Sequence, residues 1–126
     1  MQSSVLIVDD SKINLRIVAK IIDDLGYKVH AAQSGYEALK LLTQVKPCVI
    51  LMDINMPNMS GFDCCRRIKK STSRAKIPII FMSGSNDPKD MKMAESIGAK
   101  AYLTKPLDIN KVKQEIQFNM PWADTE

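Results

Sequence analysis

The chain has 126 residues, 45% hydrophobic and 25% charged, with a net charge of +4, a composition of the ordinary globular kind. That length fits one domain burying roughly two-thirds of its extended surface, and excludes a second. No apolar run of about 18 residues and no charged-then-apolar leader occurs, which excludes a membrane span and leads us to expect a soluble, cytoplasmic protein.

In chain order, Ser4 to Val8 is a short apolar run ending in Asp9-Asp10, which predicts a buried strand that delivers acids at its carboxyl end. Leu15, Val18, Ile22 and Leu25 follow at helical spacing, and Gly26 is placed to end that helix as its C′ residue. Tyr27 to Ala32 predicts a strand. Ser34-x-x-Glu37 is a capping box opening a helix to about Gln44, after which Pro47 precedes the next strand. Val49 to Met52 run apolar straight into Asp53, the pattern of a parallel strand buried on both faces, and Asn55, Pro57 and Gly61 follow where it surfaces. A helix is predicted from about Gly61 to Lys70, then a strand from Ile77 to Met82 that tolerates Pro78 near its start and closes at Ser83-Gly84-Ser85. Asp87-Pro88 reads as an N-cap with proline at the first helical position, opening a helix to Ile97 that stops at Gly98. Lys100 to Leu103 predicts a brief strand ending in Thr104-Lys105-Pro106. Asp108 caps a last helix carrying Ile109, Val112 and Ile116 on one face, which Pro121 ends. Strands alternating with helices imply an α/β domain with a parallel sheet covered on both sides. We place the domain at residues 1–120, with 121–126 as a tail or the start of a linker.

Cys48, Cys64 and Cys65 are odd in number and two are adjacent, so they read as reduced thiols; the lack of C-x-x-C spacing, with His30 the only histidine, argues against a metal site on them. Arg66, Arg67, Lys69, Lys70, Arg74 and Lys76 form a basic run that lacks interleaved aromatics and sits at the end of a predicted helix. It reads as a solvated helix end favoured by the macrodipole, not as a nucleic-acid surface; docking of an acidic partner is a further reading.

Four strands deliver polar residues to one edge of the sheet: Asp9 and Asp10, Asp53, Ser83 and Lys105. The carboxyl edge of an open parallel sheet is where ligands bind. Carboxylates brought together repel, by roughly 4 kcal/mol for a pair about 4 Å apart at an effective dielectric near 20, so they shift their pKa or bind a cation. All-oxygen ligands with room for water suit Mg²⁺. A lysine and a hydroxyl complete a receptacle for phosphoryl oxygens, and the middle carboxylate is placed to attack phosphorus.

Asp9-Asp10, Asp53 followed by Met56-Pro57 and Gly61, Ser83, Tyr102 and Lys105-Pro106 together resemble the motif set of the response regulator receiver domain of two-component signalling. The resemblance covers about residues 4–118, with the family's spacings of 30 from Asp53 to Ser83 and 22 from Ser83 to Lys105. It implies a single doubly wound (βα)5 domain, flavodoxin-like, with a five-stranded parallel sheet of order 2-1-3-4-5. It implies that Asp53 accepts a phosphoryl group from a phosphohistidine of a sensor histidine kinase or histidine phosphotransfer protein. Asp10 and Asp53 would ligate Mg²⁺ by side-chain oxygens, Asn55 by its backbone carbonyl and Asp9 mainly through water. Lys105, in a cis bond to Pro106, would hold a phosphoryl oxygen; Ser83 would swing toward the acylphosphate and Tyr102 turn inward behind it. The face of the fourth helix, fifth strand and fifth helix would then change for a partner or output domain, with homodimerisation on phosphorylation a further implication. Such a domain is a signalling switch and not an enzyme, although it assists its own phosphotransfer and autodephosphorylation. Serine at position 83 departs from the commoner threonine and loses a methyl that restricts rotamers. Asn55 and Ser85 occupy positions where the family tunes acylphosphate lifetime.

Three rivals share parts of this pattern. An aspartyl-nucleophile phosphohydrolase needs a second acid two residues after the nucleophile, where this chain has Asn55. A flavin-binding electron carrier needs a hydroxyl- and glycine-rich phosphate loop, where this chain has Asp9-Asp10-Ser11-Lys12. A degenerate receiver acting only as a binding module is opposed by the complete set of site residues.

Overall fold

The computed structural model describes residues 3–121. Five strands alternate with five helices: β1 (Ser4–Val8), α1 (Lys12–Asp24), β2 (Lys28–Ala32), α2 (Gly35–Leu41), β3 (Val49–Asp53), α3 (Gly61–Lys69), β4 (Ile79–Ser83), α4 (Pro88–Ser96), β5 (Ala101–Thr104) and α5 (Ile109–Phe118). All strand pairs are parallel and the sheet order is 2-1-3-4-5, the doubly wound arrangement implied by the resemblance. Of the expected tail at 121–126 only Pro121 is described, and residues 122–126 lie outside the described residues. Among the described residues no helix is long and apolar enough to cross a membrane.

Alternation of side chains along the strands divides the core into two layers. Val5, Ile7, Val49, Leu51, Ile80 and Met82 pack on one face with Leu15, Val18 and Ile22 of α1 and Val112 and Ile116 of α5. Leu6, Val8, Ile50, Met52, Ile79 and Phe81 pack on the other with Ala38 of α2, Cys64, Cys65 and Ile68 of α3 and Ala94 of α4. With helices on both faces, the central strands β3 and β4 are buried at every residue, so apolar side chains are required at consecutive positions.

Each helix opens on a side chain that accepts a hydrogen bond from its first turn: Ser11 from Asn14, Ser34 from Glu37, Ser60 from Asp63, Asp87 from Lys89, and Asp108 from Asn110 and Lys111. Gly26 and Gly98 follow the C-caps of α1 and α4 with φ of 90° and 93°, a conformation glycine adopts without a Cβ clash.

Some boundaries differ from the sequence reading for local reasons. Helix α2 ends at Leu41 and not near Gln44, because Thr43 Oγ1 donates to the Lys40 carbonyl at 2.6 Å and the chain tightens into a turn toward Pro47. Strand β4 begins at Ile79 and not Ile77: Pro78 has no N–H, although its carbonyl accepts from the Ile50 amide at 2.9 Å. The same strand extends one residue further than Met82, to Ser83.

Candidate functional site

The carboxyl ends of β1, β3, β4 and β5 meet at one edge, because the register sets Val8 opposite Met52, Asp53 opposite Met82 and Ser83 opposite Thr104. Backbone hydrogen bonds continue one residue past the strands and fix their ends: Asp9 N–H to the Ala32 carbonyl at 3.1 Å, Ile54 N–H to Met82 at 3.1 Å, and Lys105 N–H to Ser83 at 2.7 Å. Gly61 secures the far side of the site. Its amide donates to the Ile54 carbonyl at 2.8 Å, and a Cβ there would overlap the Asp53 carbonyl, so only glycine lets α3 begin this close to the end of β3.

Carboxylate oxygens of Asp9, Asp10 and Asp53 lie within 4.8 Å of one another. Asp9 and Asp53 are buried, at 1% and 4% exposure, whereas Asp10 is exposed. The Lys105 ammonium sits 3.3 Å from Asp9 Oδ2 and 3.3 Å from Asp53 Oδ1, a two-pronged contact that satisfies both buried acids. Burial, and next the Asp9 charge, push the Asp53 carboxyl up to about 6; Lys105 opposes the rise and Asp10 adds slightly to it. Three carboxylates against one ammonium leave an excess of negative charge that a hard divalent cation matches, and the donor set is all oxygen. The residues present therefore fit Mg²⁺.

Ser83 is wholly buried, and its Oγ accepts from the Ser85 amide at 3.0 Å. Among the described residues it makes no hydrogen bond to Asp53. Tyr102 is half-buried, and its hydroxyl donates to the Ser85 carbonyl at 2.7 Å. Ser85 Oγ in turn accepts from the amide of Asp87, the cap of α4, at 3.1 Å. The Ser85 backbone thus ties both Ser83 and Tyr102 to the start of α4. Sequence reasoning gave Ser85 only a tuning role and missed this link; Ser-Gly-Ser at the end of a strand was the one signal for it. Asn55 lies exposed in the loop past β3, and the Lys105–Pro106 peptide bond is cis.

Ser11 caps α1, and its amide donates to Asp9 Oδ1 at 2.9 Å. The cysteines and His30 take no part in this cluster. Cys64 and Cys65 are buried under α3, and burial pushes the Cys64 thiol up to about 12, leaving it protonated and unreactive. Burial, and then the neighbouring Lys28, hold His30 below its ordinary pKa, so it is neutral near pH 7. Beside the acidic cluster, Asn14, Ile17, Pro106, Leu107 and Ile109 line a hollow of about 220 Å³, and Ile13, Ile17 and Ile109 are each more than half exposed.

Comparison with known proteins adds four findings. The family profile described as "Response regulator receiver domain" matches residues 5–117. The chain is 36% identical over 104 residues to protein PilH of Pseudomonas aeruginosa, covering 82% of this chain and 86% of that protein. It is 34% identical over 119 residues to a probable cyclic di-GMP phosphodiesterase of Vibrio cholerae, covering 94% of this chain but only 27% of that relative. Among solved structures, the chemotaxis protein CheY4 of Vibrio cholerae superposes with a TM-score of 0.90 at 28% identity, covering 95% of this chain and all of that one.

Proposed function

The chain belongs to the response regulator receiver domain family, and from that premise we propose that it is a phosphorylation-driven switch with Asp53 as the phosphoacceptor. The observation that carries the reading is a buried Asp53 carboxylate paired with Lys105 inside an all-oxygen acidic cluster. An Asp53 carboxylate oxygen attacks the phosphorus of a phosphohistidine; the P–N bond breaks and its electron pair leaves with the imidazole of a sensor histidine kinase or histidine phosphotransfer protein. Asp10, Asp53 and the Asn55 carbonyl would hold Mg²⁺, with Asp9 acting mainly through water. Bound there, the ion offsets charge between the carboxylates and the phosphoryl oxygens. Lys105, already shared by Asp9 and Asp53, would turn its charge to a phosphoryl oxygen.

Readout follows from the Ser85 link. Ser83 exchanges its bond from the Ser85 amide for one to the acylphosphate, Tyr102 turns inward, and the α4-β5-α5 face shifts toward a state already sampled without phosphate. That face then regulates a partner, an output domain or a second copy of the chain. The apolar surface around Ile13, Ile17 and Ile109 flanks Lys105 and suits docking of the phosphohistidine donor. We assign the receiver to residues 1–120, the tail or linker start to 121–126, and its place of action to the cytoplasm with those partners. The phosphodiesterase name describes a relative nearly four times as long as the matched segment and is not carried to this chain.

Mass spectrometry after incubation with acetyl phosphate and Mg²⁺ tests the proposal. One base-labile phosphate is expected on the wild type and none on Asp53→Asn or on wild type with chelator. Equal labelling of the variant would overturn the assignment of Asp53.

A further inference from the structure

At the opposite end of the sheet, before β3 and β4 begin, hollows of about 440 and 220 Å³ share Lys46 and Ser73 in their walls and so form one groove. Lys46, Arg74 and Lys76 supply three cations, and Pro47, Ile77 and Pro78 an apolar wall. Among the described residues no lining residue is acidic and none of the three cations has an ion pair. The sequence has no carboxylate between Glu37 and Asp53, or between Asp63 and Asp87, so neither loop supplies one nearby. Arg66 and Arg67, the more prominent residues of the basic run, are engaged elsewhere. Arg66 bonds Asp63 at 3.0 Å and Met93 Sδ at 3.1 Å, and Arg67 lies 5.9 Å from the centroid of the Tyr36 ring. The available charge in the groove is therefore that of Arg74 and Lys76 from the end of the run together with Lys46, which is distant from it in sequence.

We propose that this groove binds an acidic segment of a partner protein, an extended stretch in which Asp or Glu alternates with apolar residues. Three unpaired cations select for carboxylates, and the apolar wall beside them selects for a ligand with hydrocarbon as well as charge. A free phosphate would leave that wall unused. Among the described residues no aromatic ring lines the groove for a base to stack on, which disfavours single-stranded nucleic acid. The strands separate the groove from Asp53 by roughly 13 Å, at about 3.3 Å per residue, so an occupant leaves the phosphoacceptor edge open.

The test is an amide NMR titration of the full chain with a synthetic peptide alternating glutamate and leucine, and with the same peptide carrying glutamine for glutamate. Saturable shifts are expected at Thr43, Lys46, Ser73, Arg74 and Lys76. Binding should be about tenfold weaker for the glutamine peptide and weaker again at higher salt. The triple variant Lys46→Glu, Arg74→Glu, Lys76→Glu should lose binding while accepting phosphate from acetyl phosphate as the wild type does. If it fails to fold, Lys46→Glu alone, at an exposed position, is expected to weaken binding measurably. Equal binding of both peptides, shifts confined to other residues, or tighter saturation of the same residues by tripolyphosphate would each overturn the proposal.

Discussion

Asp53 is held in a setting that disfavours its charge. Its folded pKa of about 6 lies above the unfolded value near 3.8, so the folded state keeps the proton that the unfolded state loses first. Stability therefore falls as pH rises from about 4 through 6, by on the order of 2 to 3 kcal/mol, and stays reduced at neutral pH. In the absence of divalent cations, Asp53→Asn should be more stable than wild type at pH near 7.5, by about 1 to 2 kcal/mol after the loss of its Lys105 contact. The advantage should vanish near pH 4. Urea denaturation of both proteins in chelator measures this, and a difference independent of pH would contradict a raised Asp53 pKa. The neighbouring Asp9 is held differently: it is equally buried, and besides Lys105 it accepts the Ser11 amide at 2.9 Å. That distinction depends on a two-residue hydrogen bond that no motif announces.

At the scale of elements, β4 and β5 are joined to α4 through Ser85. Tyr102→Phe removes the hydroxyl that donates to the Ser85 carbonyl, a loss of about 1 kcal/mol in a half-buried setting. Acetyl phosphate labelling of Asp53 should persist in that variant, while the phosphate-dependent change in α4 amide exchange should shrink; unchanged α4 exchange would remove Tyr102 from the relay. Helix α1 and the loop before α5 carry the apolar surface proposed above for the phosphohistidine donor. On that proposal Ile17→Glu, at a position 52% exposed, should slow transfer from a phosphohistidine donor about tenfold or more and leave acetyl phosphate labelling intact, because the small donor has no surface to dock. Stopped-flow transfer assays separate the two, and equal slowing of both reactions would place the defect in the chemistry. Both arguments use contacts between elements far apart in the chain.

At the scale of the whole molecule, the acidic edge lies where every strand ends and the basic groove where β3 and β4 begin. The repulsion within the edge makes the fold responsive to cations. Mg²⁺ at about a hundred times its dissociation constant should stabilise the wild type by about 2.7 kcal/mol at neutral pH, with far less effect on Asp53→Asn. Thermal denaturation with and without chelator reads that directly, and equal stabilisation of both proteins would place the ion elsewhere.

The sequence by itself determined the alternation of strands and helices, the Ser and Asp caps, the glycine stops and the delivery of acids at strand ends. Those features rest on periodicity and on side-chain bonds spanning two or three residues, and so are written locally. Lys105 reaches Asp9 across 96 residues and Asp53 across 52, at 3.3 Å each, a meeting that exists only once the sheet has its order and register. That order was implied by the family resemblance: burial marks β3 and β4 as central and β2 and β5 as less buried, but does not say which strand lies beside which. The raised Asp53 pKa, the Ser85 link and the joining of Lys46 to Arg74 and Lys76 likewise waited on tertiary structure. Burial and proximity between distant residues are products of packing across the sheet, and no local pattern encodes them.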